Sequence, residues 1–224
     1  MAVAQRVRQG NRLVAGDIKF VGISHFHGDH TGQLPSFSKA LLLICKNEWD
    51  GINANPPATG ANVKAFEGWM KGENKVEPQE MDKDVFEDGS VIVLRTPGHT
   101  PGTMSFTFQV LDKGKPMNVA YSGGTAFNFN NRTPDPGIKN FQIYIDSQRK
   151  FAANAAATGA TVLISNHSEF DIADTKNKML AARGNGPHPY EQGADAVQRY
   201  FKVMQGCARA AQLKLEQRQA AGEK

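Results

Sequence analysis

Apolar and polar positions along the chain follow two periods, and the elements they predict alternate. Phe20-Val-Gly-Ile-Ser24 is a short β-type run that stops at a group of histidines, and Ala40–Cys45 is an unbroken apolar hexamer that predicts a buried strand. A helical stretch is expected from about Asn47 onward. Ser90-Val-Ile-Val-Leu-Arg95 predicts a strand that runs into Thr96-Pro-Gly-His-Thr-Pro-Gly102, where two Pro-Gly pairs mark a double turn. Met104–Val110 alternates, Lys113-Gly-Lys-Pro116 reads as a turn, and Met117–Ser122 returns as the next strand. Thr161–Ser165 predicts a last strand, ending just before His167. Two longer segments carry helical spacing. One is Asn140 to Ala157, whose Ala-rich end stops at Gly159; the other is Gln192 to Gln217, with Val197, Tyr200, Phe201, Met204, Ala208 and Ala211 along one face. By that spacing the Met and aromatic members are core contacts rather than a cofactor site. Gly51 to Lys75 is rich in Gly, Asn and Pro, has Trp49 and Trp69 at or near its edges, and is expected to be a long loop or a loop with one short helix. Loops that long are usually functional or mobile. The alternation predicts an α/β layered fold with its site along one edge.

Composition narrows the classes. The 224 residues fit one domain or, at a stretch, two small ones, and 40% hydrophobic content is too apolar for disorder. The longest apolar run is Ala40–Cys45, too short to span a bilayer, so no membrane association is expected. The net charge of +4 is scattered, with modest density towards the C-terminus, and no basic stripe argues for nucleic acid. Two cysteines, Cys45 and Cys207, exclude a disulfide scaffold and a four-cysteine zinc site. One disulfide stays open, although Cys45 in its apolar run reads better as a buried thiol. The opening residues Met1–Arg6 have no apolar core of signal-peptide length.

The histidines carry the chemistry. Three of the six lie in Ser24-His-Phe-His-Gly-Asp-His-Thr-Gly32. His25 and His27 are two apart at a strand end, so both imidazoles point to one side and can reach one ion. Gly28 is expected to let the backbone turn, so that Asp29 and His30 face a second ion beside the first. Neutral imidazole suits Zn²⁺, with carboxylate as an accepted partner. His99 and His167 also follow strand ends, and each site needs a third protein ligand. His188, in Gly186-Pro-His-Pro-Tyr190, is expected at the surface or a pocket rim.

Ser24–Gly32, Thr96–Gly102 and the strand-end His167 resemble the metallo-β-lactamase superfamily, and within it most closely the third subclass of class B β-lactamases. That resemblance runs from about residue 18 to the C-terminal helix and includes Gly114-Lys-Pro-Met-Asn-Val-Ala-Tyr121. It implies a single domain over residues 1–224 with an αβ/βα sandwich fold and two metals at one edge. It assigns His25, His27 and His99 to the first zinc, and Asp29, His30 and His167 to the second, with Asp29 also orienting the nucleophile. The implied activity is that of a di-zinc hydrolase in which a zinc-bound hydroxide attacks the carbonyl of a cyclic amide or ester. The implied partner is a small-molecule substrate, and oligomeric state stays open. Ser24, Thr31 and Thr100 are candidates to orient the imidazoles.

Three departures qualify the resemblance. Most branches, among them lactonases, glyoxalase-type thioesterases and tRNA-processing nucleases, place a metal-bridging Asp after the strand ending near Tyr121, whereas Ser122-Gly-Gly-Thr-Ala-Phe127 has no acid; the third subclass also lacks it. That subclass usually has Asp-Ser-Leu-Ser here, with serines that help hold a substrate carboxylate. Gly123-Gly-Thr-Ala126 therefore predicts weak β-lactam turnover, with a gain from Gly124→Ser plus Ala126→Ser unless Ser122 or Thr125 fills the role. Only 24 residues precede the motif, so part of the N-terminal sheet is expected to be absent, and a lost export signal would make the protein periplasmic or secreted. Two other readings stay open: a metal-dependent phosphodiesterase or nuclease, and a non-catalytic zinc-binding protein or inactive fragment. Gly51–Lys75 is expected to flank the cleft and set substrate choice.

Overall fold

The computed structural model describes residues 2–4 and 14–223, so Met1, Gln5 and Arg6 of the opening segment read for a signal peptide lie outside the described residues. Two sheets stack between two helical layers, which is the αβ/βα sandwich expected. The first sheet has the order β1 (Ala2–Ala4), β2 (Phe20–Gly22), β3 (Leu41–Cys45), β4 (Val76–Gln79), parallel except for the β1–β2 pair. The second runs β5 (Lys83–Asp84), β6 (Val91–Arg95), β7 (Met104–Asp112), β8 (Lys115–Ser122), β9 (Val162–Ser165), antiparallel except for the β8–β9 pair. The helices are α1 (Gly28–Thr31), α2 (Lys46–Asn53), α3 (Glu67–Met70), α4 (Pro134–Ala157), α5 (Ser168–Asp171), α6 (Ala173–Ala182) and α7 (Ala194–Ala220).

The period of two along β3 explains the layering. Leu42 and Ile44 face outward, packing with Ile52, Phe66 and Trp69 of the first helical layer. Leu43 and Cys45 face the second sheet and meet Val93, Met104 and Phe106. A strand covered on both faces has no polar face to show, hence the unbroken apolar run. Beyond the second sheet, Leu94, Ala120 and Leu163 pack on Phe151 and Ala155 of α4 and on Val197 and Phe201 of α7. Phe151 and Phe201 are fully buried, and truncating either to Ala would cost about 3–5 kcal/mol. The predicted stripe on the C-terminal helix is thus divided between this core and a second cluster that takes Met204, Ala208 and Ala211. Cys45 is a buried free thiol and Cys207 an exposed one. No helix of the described residues is long and apolar enough to cross a membrane.

Some elements differ from expectation. Gly51–Lys75 is more structured than a loop: it holds the end of α2, a 3₁₀ turn at Val63–Phe66, and α3 with the buried Trp69. β4 was not foreseen because Pro78 interrupts it, and Pro is tolerated there because β4 is an edge strand. The α4 helix begins at Pro134 rather than Asn140. β5, α5 and α6 are short or weakly amphipathic and leave no periodic signal.

The topology gathers the chemistry. β6, β8 and β9 run in one direction, so the loops after them emerge at one end. The loop after β2 arrives at the same edge, where Met104 N–H donates to Ser24 O at 2.8 Å and joins the two sheets.

Candidate metal centre

After β2 the backbone bends at Ser24 and Phe26, is extended at His27 (φ −60°, ψ 149°) and then coils into the single turn of α1. The His25 and His27 rings nonetheless come to one side, with centroids 4.7 Å apart. Gly28 is not what makes the bend possible: it has no positive φ, and a Cβ there would meet only Asn62 Cβ at 3.8 Å. The helical turn itself redirects the chain, closed by His30 N–H to His27 O (3.0 Å) and by the Thr31 hydroxyl to the same oxygen (3.0 Å).

All six residues singled out from the sequence come together, in two groups. One potential ligand atom from each of His25, His27 and His99 lies within 4.8 Å of the others, and the same holds for Asp29, His30 and His167. In the second group His30 Nε2 is 3.1 Å and His167 Nε2 3.7 Å from Asp29 Oδ2, and the two Nε2 atoms are 3.3 Å apart. The groups adjoin, with the rings of His25 and His30 4.3 Å apart. His188 belongs to neither; it lines a separate pocket of about 260 Å³ with Tyr190 and Leu180.

The unpaired atoms tell what the first group can do. His99 Nδ1–H donates to Ala126 O at 2.9 Å, and His25 Nδ1 lies 3.1 Å from Ser24 Oγ. The opposite nitrogens, His25 Nε2 and His99 Nε2, are buried with no hydrogen-bond partner. A buried imidazole nitrogen left unpaired costs about 1–3 kcal/mol, and a cation shared with His27 would remove that cost. A ligand histidine anchored through its other nitrogen is the usual arrangement at metal sites. Burial drives the imidazole of His25 far below its ordinary range, with neighbouring histidines adding to the effect. Burial also lowers His27 and His99, and brings His30 down to about 4. Neutral rings are the form that binds metal.

Of the three proposed orienting residues, Ser24 contacts His25 directly, and Thr31 holds the His27 carbonyl while accepting from Asn62 Nδ2 at 3.2 Å. Among the described residues no hydrogen bond joins Thr100 to an imidazole. Its hydroxyl donates to Glu48 Oε1 at 2.6 Å. Sequence reading missed Glu48, the Ala126 carbonyl and Asn128, whose Nδ2 is 3.5 Å from His27 Nε2. Glu48 had a usable signal: it lies four positions before the buried Ile52 on α2, and so shares its inward face. Burial raises the Glu48 carboxyl, while donors from Thr100, Phe26 and Gly102 pull it back.

The loop after β8 corrects one expectation. A Cβ at Gly123 would fall 1.7 Å from Met104 O, and one at Gly124 would fall 2.3 Å from His99 Cβ, so both positions exclude a side chain. Serine at 124 cannot restore a donor without displacing His99. Nor do the neighbouring hydroxyls face the metal groups. Thr125 Oγ1 is bonded to Ser165 Oγ (2.7 Å) and Tyr200 Oη (2.5 Å), with Ser122 Oγ at 3.4 Å, all in a buried cluster. The Gly51–Lys75 segment does flank the motif. Gly60 packs on the His27 ring, Ala61 bridges to His27, and Asn62 N–H donates to Phe26 O at 3.2 Å.

No protein-family model matches the chain. It is 33% identical over 104 residues to N-acyl homoserine lactonase AttM of Agrobacterium fabrum, covering 45% of this chain and 39% of that protein. The match to the protein of the same name from Azorhizobium caulinodans covers 57% of it, so the chain spans less than two thirds of these relatives. Among solved structures, the subclass B3 metallo-β-lactamase BJP-1 of Bradyrhizobium japonicum superimposes with TM-score 0.59 at 20% identity, over 92% of this chain and 76% of that one. The metallo-β-lactamase FEZ-1 of Legionella gormanii gives 0.62 at 19%, over 90% and 77%. With coverage this full on both sides, the chain has the metallo-β-lactamase fold.

Proposed function

We propose that this protein is a di-zinc hydrolase that cleaves a cyclic ester or cyclic amide by attack of water on the carbonyl carbon. The observation that carries this reading is the pair of adjoining three-residue groups, one of which holds two buried nitrogens without partners. His25, His27 and His99 would hold one zinc, and Asp29, His30 and His167 the other, each with three protein ligands and an open position. Zinc held there would supply Lewis acidity for the carbonyl and for a water made acidic enough to react at neutral pH. The carboxylate of Asp29, 59% exposed at the mouth of the site, accepts a hydrogen bond from the attacking water and orients it towards substrate. Ser24 and the Ala126 carbonyl hold the His25 and His99 rings in place.

Between the two substrate classes, the site favours a small cyclic ester. The stretch Ser122–Ala126 offers no free hydroxyl for a substrate carboxylate, because Gly124 is packed against His99 and Thr125 is tied into a buried cluster. Losing two charge-assisted bonds of about 1.5–3 kcal/mol each would lower β-lactam kcat/KM by about a hundredfold or more. The partial sequence similarity to N-acyl homoserine lactonases supports the same choice. Gly51–Lys75, packed on His27, is the segment placed to select among such substrates. Proton release from an N-acyl homoserine lactone, measured on the zinc-loaded chain beside a chromogenic cephalosporin, tests this reading. Zinc-dependent lactone opening with little cephalosporin turnover is expected. Zinc-loaded protein inert to both would favour a non-catalytic zinc-binding protein, and a salt-sensitive nucleic-acid shift would favour a phosphodiesterase.

A further inference from the structure

We propose that Glu48 is a positioning residue for the three-histidine group, clamping the loop that carries His25 and His27 to the loop that carries His99. The inference rests on that group's being a metal site.

Glu48 is 1% exposed, and among the described residues no cation is paired with it. Its two oxygens instead serve two different loops. Oε2 accepts from Phe26 N–H at 2.9 Å, at the residue between His25 and His27. Oε1 accepts from the Thr100 hydroxyl at 2.6 Å and from Gly102 N–H at 2.8 Å, just beyond His99. Burying a carboxylate is costly unless its lone pairs are satisfied, and these three donors satisfy them from both sides of the cleft. A second observation points the same way: a Cβ at Gly102 would fall 2.7 Å from Glu48 Cγ and 2.8 Å from its Oε1, so the glycine is what lets the loop reach the carboxylate. The first-group ligands come from segments separated by more than seventy residues, and their ligand atoms must sit within about 0.2 Å of the metal's preferred distances. The α2 helix provides a rigid post between them. One oxygen sets the height of the His25–His27 loop, and the other sets that of the His99 loop.

Glu48→Gln tests this with the shape conserved. An amide keeps one acceptor oxygen and turns a donor towards either Phe26 N–H or the Thr100–Gly102 pair, so one loop is released. Zinc affinity is measured by competition with a chromophoric chelator, and thermal unfolding is followed with and without metal. The clamp predicts that the tighter zinc step weakens by about 10- to 100-fold, and that zinc raises Tm by less than in the parent. The d–d bands of the cobalt(II)-loaded variant should also shift. Gly102→Ala, which pushes the loop off an intact carboxylate, should act in the same direction if Glu48→Gln folds poorly. Phe201→Leu, a change in the core cluster between the second sheet and α4, sets the reference: it should lower Tm with zinc affinity unchanged. If both Glu48→Gln and Gly102→Ala lower Tm but leave zinc affinity and cobalt bands at parent values, Glu48 is only a core group and the proposal is overturned. If the parent chain itself takes up no zinc, the metal-site reading fails first and this inference falls with it.

Discussion

Gly124→Ser adds two heavy atoms where the structure leaves no room. The new Cβ would stand 2.3 Å from His99 Cβ, 2.9 Å from Thr103 Cγ2 and 3.0 Å from His99 Cγ. Carbon atoms approach comfortably to about 3.5 Å, so the two backbones must separate by about 1.2 Å. Neither can yield by a rotamer change, since a Cβ is fixed to its backbone. Overpacking of this kind costs about 1–3 kcal/mol, or roughly 2–12 °C in Tm for a chain of this size. The larger effect falls on the site, because His99 would move several times further than the roughly 0.2 Å that metal ligation tolerates. Zinc affinity of the first group should drop by at least about a hundredfold. Chelator competition and thermal unfolding on the purified variant measure both. A variant that binds zinc as tightly as the parent, or that gains β-lactam turnover from its new hydroxyl, would refute the packing argument.

Gly60→Ala places a Cβ 2.8 Å from His27 Cδ2 at a residue with φ +85°; it should cost about 1–2 kcal/mol in backbone strain alone and weaken zinc binding, both read by unfolding and titration. Asp29→Ala should lower bound zinc from about two to about one by elemental analysis, since the first group keeps three histidines. Loss of all zinc would mean the groups are not separate. The zinc-free protein should lose stability as pH falls from about 6.5 towards 4. His30 titrates at about 4 when folded and near 6.5 when unfolded, so the unfolded chain binds more protons in that window and the stability present above it is lost. Urea unfolding at pH 7.5 and 5 would show it, and a flat profile would contradict the burial of this ring.

The six residues of the two groups were legible in sequence because their pattern is local: three histidines and an aspartate within six residues, plus two histidines at the ends of periodic strands. The layering was legible for the same reason, since Leu42, Leu43, Ile44 and Cys45 must be covered on both faces. What escaped depends on distant partners. Glu48 looks like any helical acid until α2 is set against the loops bearing Phe26 and Thr100. Gly124 reads as a lost hydroxyl until His99 Cβ is found against it. Gly51–Lys75 reads as a long loop from its Gly, Asn and Pro content, yet Phe66 and Trp69 are buried there and Asn62 holds Thr31. A shorter change around Ala58–Ala61 is the better probe of selectivity.

The central claim is that two adjoining groups of three residues each hold a zinc ion. Native mass spectrometry of the zinc-reconstituted chain measures this directly. The account predicts that the dominant species carries two zinc ions per polypeptide; a chain that retains one or none at saturating zinc would contradict it.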